Sequence, residues 1–402
     1  MKKRDLTTTL VTATMLGALC GQPVVAGTMP SSMEAMSQQM QDLLDQNQQL
    51  TQRVGELEGK MAESTAKPED TPQVAEAKEP ASAGKISEFV TLSGLVETEA
   101  TAGEDFTGDH SSSLDLATVE LGLEARATDW AAAHILIKYE DDDLFMDEAN
   151  VVLGNSEEFP LLLTVGRFYM PFGNFATNMI QDPFTLEIGE INDDGAAIGF
   201  EAGGFMAAVY GYKGLGETGA SDNIKGFGAM TAYGFAQDDF SFNGGLSWIN
   251  NMADSDGVIA ATFDEAGLDT IEKMIGGLGA HINLGYGPFA LIGEYITALD
   301  RFATDELLFV DQGAEPSAWN TELAYTTELL NRETVFALGY QQTAEAQALG
   351  LPESRYSGAV GMKILPETTL SLEYAYDRDY DIEEGGSGEN AKVFVAQLAY
   401  EF

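Results

Sequence analysis

From Ile86 to Phe402 the chain divides into sixteen short segments in which apolar and polar residues alternate, and the connections between them alternate as well, short then long. A period of two gives each segment one apolar face, as in a β-strand. A sheet whose outer face is apolar throughout can sit in hydrocarbon only if it closes on itself, because lipid offers no partner to the N–H and C=O groups of a free edge. Bacterial sheets of this kind have an even strand count. The pattern predicts an all-β fold, a 16-stranded antiparallel transmembrane β-barrel of the outer-membrane type over residues 85–402, with its function in a pore.

The short connections are read at Thr128-Asp129, 156–159, Gly203-Gly204, Asp238-Asp239, Gly287-Pro288, 331–333 and Pro366-Glu367, all of them turn-forming residues. The long ones are read near 100–112, 140–146, 170–192, 214–223, 252–275, 299–315, 344–353 and 378–390. This parity puts both termini of the barrel on the periplasmic side, with fourteen and eighteen strands as the neighbouring even counts. A soluble β-sandwich also alternates, but its turns do not sort into short and long by parity.

Ahead of the barrel, Met1-Lys2-Lys3-Arg4 and the apolar run Leu6 to Cys20 read as a secretory signal over 1–26, cleaved after Ala26. Cys20 is the alternative lipoprotein anchor, against which Leu19 stands where the processing site wants a small residue. Cleavage after Ala26 removes this sole cysteine, and with it disulfides, thiol catalysis and cysteine-bound metals. The chain carries 20 basic against 65 acidic residues, a net charge of −45. So acidic a surface excludes nucleic acid, whose binding depends on cationic neutralisation of phosphate.

Between Met33 and Met61 apolar residues recur at heptad spacing, with Asn47 on the same seam. That predicts an α-helical coiled coil over 27–61, periplasmic and oligomerising, with a homotrimer drawn by analogy with porins. A lone helix on the barrel rim is the plainer alternative. Residues 62–84, rich in Ala, Pro, Glu and Ser, read as a disordered linker.

Alternation also assigns faces. Val119, Leu121, Leu123 and Ala125 should meet lipid, leaving Thr118, Glu120, Glu124 and Arg126 in the lumen. Ile135, Ile137 and Tyr139 point out and His134 and Lys138 in. Leu370, Leu372, Tyr374 and Tyr376 oppose Ser371, Glu373 and Asp377.

The connection from Met170 to Asn192, MPFGNFATNMIQDPFTLEIGEIN, is unusually apolar for a loop in water. Burial of such groups is favourable, and the nearest cavity is the lumen. A lid over the rim, or a contact with a neighbouring copy, would bury them as well. The expected pore constriction comprises Phe172, Asn174, Phe175, Asp182, Glu187 and Glu190. Lumen and ligand contacts are expected from Glu120, Glu124, Arg126, His134, Lys138, Arg167 and Glu373, with Glu294 and Glu322 adding to an acidic lining that favours cations. No cofactor, metal site or catalytic residue is expected. DRDYDIEEGGSG departs from a calcium loop at Ile382 and Gly388, and His110, His134 and His281 have no metal-type spacing. Loose divalent bridging of that acidic loop to lipopolysaccharide is a weaker expectation.

The stretch from Leu116 to Phe205, including LATVELGLEARATDWAAAHILIKYEDDD and LLLTVGRFYMPFGNFATNMIQDPF, resembles the siderophore porin family typified by the legiobactin uptake receptor. The resemblance implies a sixteen-stranded outer-membrane barrel without a plug domain that takes up a ferric siderophore, in contact with outer-membrane lipid and lipopolysaccharide. Phe402 closing the last strand resembles the signal used by the barrel assembly machinery. An anionic ferric siderophore conflicts with an acidic lumen unless Arg167, Arg126 and Lys138 gather at one binding point. A general cation-selective diffusion porin, and a structural envelope tether, are the other readings.

Overall fold

A computed structural model describes residues 84–87, 89–140, 142–214, 224–265, 267–268 and 270–402. The expected signal segment, the heptads of 33–61 and nearly all of the 62–84 linker lie outside the described residues.

Sixteen strands form the barrel: β1 (Val90–Glu104), β2 (His110–Thr128), β3 (Ala131–Glu140), β4 (Asp143–Asn155), β5 (Phe159–Tyr169), β6 (Asn192–Ala202), β7 (Phe205–Tyr212), β8 (Gly226–Gln237), β9 (Phe240–Ile249), β10 (Gly277–Tyr286), β11 (Phe289–Ala298), β12 (Ser317–Leu329), β13 (Arg332–Ala344), β14 (Ser354–Leu365), β15 (Thr368–Arg378) and β16 (Asn390–Glu401). Each runs antiparallel to its neighbour in sequence. Closure comes from β16 against β1, in register from Lys392 opposite Glu104 to Glu401 opposite Leu95. Past that point Phe402 and Gly94 exchange backbone hydrogen bonds of 2.9 and 3.0 Å. The short strand Gly84–Ser87 pairs with the start of β1, beyond the end of β16. Each of the sixteen barrel strands thus has two partners and no long edge is left open.

Seven tight turns separate the hairpins at one end and eight connections lie at the other, as the parity of the sequence requires. Two of those eight are shorter than expected. The connection read at 140–146 is only the step from Glu140 to Asp143, and that read at 100–112 is 105–109. In both places a β-bulge breaks the period. Glu97 pairs with Thr118 while Thr98 pairs with Leu116, which leaves Ala117 as the extra residue. Leu136 pairs with Glu148 while Ile137 pairs with Met146, which leaves Asp147 as the extra residue. One inserted residue moves the apolar set by one position. Leu114 and Leu116 are therefore exposed before the bulge and Leu121 after it, and Leu144 and Met146 before theirs, Val151 and Leu153 after it.

The outward face is a continuous apolar surface. Leu163, Val165, Ile198, Val209, Leu338 and Phe394 are all exposed on it, which suits hydrocarbon and not water. The main buried cluster gathers around the connections. Phe172, Phe184 and Ile188 from the segment 170–191 form one cluster with Met252 and Ile275 of the 250–276 connection, Phe302 and Leu307 of the 299–316 connection, and the wall residues Tyr212, Ile249 and Ile296. Each such burial stabilises the arrangement by roughly 1.5–3 kcal/mol.

Candidate functional site

The site is built by the segment 170–191 and the inward-facing side chains of β9 to β15. It leaves β5 at Met170, whose N–H donates to the carbonyl of Ile191 at 2.8 Å and closes the base of the loop. Gly173 has φ +88°, and a Cβ there would strike the Phe175 ring. Phe175 itself has φ +54°, a left-handed conformation that costs an L residue about 1–2 kcal/mol.

A chain of polar anchors holds that backbone. The Gly173 N–H donates to Ser247 Oγ of β9 at 3.1 Å. The consecutive N–H groups of Asn174 and Phe175 converge on the two oxygens of Glu294 on β11, at 2.5 and 2.9 Å, and Thr185 Oγ1 donates to the same carboxylate at 2.9 Å. On β12, Glu322 accepts Thr177 Oγ1 at 2.5 Å, the Asn178 N–H at 2.8 Å and Asn178 Nδ2 at 3.3 Å. On β15, Glu373 Oε2 accepts the N–H groups of Ile180 and Gln181. Gln341 of β13 accepts the Phe184 N–H at 2.8 Å, and Asn283 of β10 donates to Asn174 Oδ1 at 2.7 Å.

After Pro183 the chain forms a short helix, α1 (Phe184–Gly189), with Phe184, Leu186 and Ile188 buried. A Cβ at Gly189 would sit 2.6 Å from Ile296 Cδ1, so glycine permits the close approach of helix to wall. The Arg355 guanidinium lies over the Phe184 ring at 4.7 Å and grips Asp377 in a bidentate pair at 2.8 and 2.9 Å.

The returning end of the segment meets the 250–276 connection. The Asp256 N–H donates to the Glu190 carbonyl at 3.0 Å. Burial, reinforced by Asp256, pushes the Glu190 carboxyl up to about 8, against a smaller downward pull from Lys138. Burial, with Asp147 and Asp193 nearby, pushes Asp256 up to about 7. Glu187 is raised by burial, with Arg355 pulling it back. Both loops thus carry carboxyl groups that titrate close to neutrality.

On the inner face of β1 to β4, Glu120 stands opposite Lys138 in register. Lys138 is buried and ion-paired with Glu140 at 3.1 Å. His134 Nε2 is 4.0 Å from Glu148. Glu124 and Arg126 form an exposed pair at 3.2 Å towards the tight-turn end.

The expected site residues fall into different settings. Phe172 and Phe175 are buried in the cluster, and Asn174 is engaged by Glu294 and Asn283. Asp182 and Glu190 are buried, while Glu187 is only partly so. Arg167, expected in the lumen, shares the outward parity of Leu163 and Val165 and pairs with Asp194 at 3.1 Å. It lies apart from Lys138, because strand parity puts the two on opposite faces of the wall. Glu294, Glu322 and Glu373, read as lining charge, are instead spent on the backbone of one loop. Among the described residues no group of three His, Cys, Asp or Glu side chains is arranged to hold a metal ion.

A UPF0422 protein of Coxiella burnetii is 31% identical over 323 residues, spanning 77% of this chain and 69% of its own length. The chain belongs to the UPF0422 family. A UPF0422 protein of Legionella pneumophila, strain Philadelphia 1, is 29% identical over 334 residues, 76% of this chain, and the match spans 62% of that relative's length. No family model matches the chain. Among solved structures, the UPF0422 barrel is similar to the outer membrane channel DcaP of Acinetobacter baumannii, with a TM-score of 0.53 and 15% identity over 82% of this chain and 100% of that one. It is similar as well to an anion-selective porin from Comamonas acidovorans, with a TM-score of 0.54 and 15% identity over 78% and 99% of the two chains. The UPF0422 fold is therefore that of the outer-membrane porins.

Proposed function

We propose that this UPF0422 chain is an outer-membrane channel for small solutes, narrowed by the segment 170–191 lying within the lumen, and that it favours cations. One observation carries the reading: residues 173–185 are bonded to inward-facing side chains of β9, β10, β11, β12, β13 and β15. A loop tied to that many strands of the inner wall takes up bore along its whole length. The preference for cations follows from the inner face of β1 to β4, which the anchors of 173–185 do not reach and where Glu97, Glu120, Glu140 and Glu148 outnumber Lys138. The chain acts by passage and carries out no covalent chemistry.

The resemblance of residues 116–205 to siderophore porins supplies a second reading, in which the solute is a ferric siderophore. With Arg167 facing outward, an anionic siderophore would depend on Lys138, Arg126 and Arg355, each beside a carboxylate, so a cationic or neutral complex suits the lumen better. The heptads of 33–61 would join copies, three by analogy with porins, on the periplasmic side. Lipid and lipopolysaccharide would cover the apolar belt, and the barrel assembly machinery would read the end at Phe402.

The test is reversal potential in planar bilayers under a salt gradient, together with uptake of purified ferric siderophores in an iron-restricted deletion strain. Cation preference supports the first reading, and loss of growth on a siderophore the second. An anion preference with unchanged siderophore growth would overturn both. Chemical cross-linking with and without 33–61 reads the oligomer.

A further inference from the structure

Glu294, Glu322 and Glu373 carry three of the inward-facing charges, yet each is nearly or fully buried and each is bonded to the backbone of one loop. Resting on the reading above, we infer that these three glutamates are positioning residues that set the bore by latching residues 174–181 to the wall, and that ion selection belongs to other carboxylates.

The distinction is in how the oxygens are used. Glu294 engages both: Oε1 takes the Asn174 N–H, and Oε2 takes Phe175 and Thr185. Glu322 also engages both: Oε1 takes Thr177 and Asn320 Nδ2, and Oε2 takes both donors of Asn178. Glu373 engages only Oε2, on Ile180 and Gln181, while its Oε1 is buried without a hydrogen-bond partner. A carboxylate is acceptor-only, whereas a carboxamide of the same shape has one acceptor and one donor group. Glutamine at 294 or 322 must therefore turn N–H against N–H or O–H and lose at least one side of its grip. Glutamine at 373 can place its oxygen where Oε2 stands and keep both bonds. All three substitutions remove one unit of charge.

A charge role and a latch role thus give different orders. The full chain is purified as wild type and as Glu294→Gln, Glu322→Gln and Glu373→Gln, and read by single-channel conductance, reversal potential, and hydrogen exchange at the amides of 174–181. The latch requires that Glu294→Gln and Glu322→Gln raise conductance roughly twofold as the loop leaves the wall. Exchange should become faster at Asn174 and Phe175 in the first and at Asn178 in the second, while Glu373→Gln stays near wild type and reversal potential holds in all three. Equal loss of cation preference in all three, with unchanged conductance and exchange, would overturn it by making them selecting charges. So would three silent variants. If wild type forms no conducting steps, the channel reading falls, but the exchange pattern still tests the latch. A variant that fails to fold is replaced by Thr177→Val, which removes one donor to Glu322 and the acceptor of the Met179 N–H, and should quicken exchange at Asn178 and Met179 while Asn174 and Phe175 stay at the wild-type rate.

Discussion

The backbone N–H of Asn178 donates to the Glu322 carboxylate at 2.8 Å, across 144 residues of sequence. That single bond joins the connection after β5 to the middle of β12, a strand far from it around the wall. With its equivalents at Glu294 and Glu373 it ties residues 174–181 to β11, β12 and β15 and gives them a fixed course.

Arg167 offers a direct check on face assignment. It lies on the outward parity with Val165 and is paired with Asp194. Arg167→Ala should leave the reversal potential unchanged, and an exposed ion pair of this kind is worth about 0–1 kcal/mol. A shift towards stronger cation preference on its removal would return Arg167 to the lumen.

Acidity should act on the loop contact at Glu190 and Asp256. Burial raises both carboxyls, to about 8 and about 7 from ordinary values of 4.5 and 3.8. A raised carboxyl pKa means that folding favours the protonated form. The stabilisation is fully present below the ordinary carboxylate range and is lost as pH rises through 7 to 8. Two consequences are expected between pH 6 and 9: thermal stability of the folded band falls, and cation preference rises as negative charge appears. Glu190→Gln with Asp256→Asn should flatten both curves. A wild-type selectivity that changes only below pH 5 would contradict the assignment.

Packing of the segment 170–191 is testable at Phe184, which is 2% exposed beneath Arg355. Phe184→Ala should cost about 3–5 kcal/mol, read as a lower unfolding temperature in detergent. Leu338→Ala, at an outward position 68% exposed to the surroundings, is the control and should be close to silent in the same assay. Equal effects would mean that the inner cluster adds nothing to stability.

Much of this was legible in the chain and some was not, for identifiable reasons. Strand number and parity follow from the period of two and the sorting of turns, which are local. The connections at 105–109 and between Glu140 and Asp143 were overestimated because bulges at Ala117 and Asp147 put apolar residues out of phase, and an interrupted period looks like a loop. Arg167 is legible from phase, since Leu161, Leu163 and Val165 share its parity, whereas its charge alone points to the lumen. The apolar content of 170–192 pointed to burial. The anchors did not announce themselves: Glu294, Glu322 and Glu373 differ from other inward glutamates only in the donors that reach them, and those donors are far away in sequence. The short inward neighbours of Glu322 on β12, Ala318, Asn320 and Ala324, are the one hint that a backbone approaches closely there.

The most direct test of the account is single-channel conductance of the purified full chain in planar bilayers, compared with a variant lacking Asn174 to Glu187. Discrete steps are expected from the intact chain and larger steps, with the same sign of selectivity, from the shortened one. Steps of equal size from both proteins would put the segment outside the conducting path and contradict the central claim.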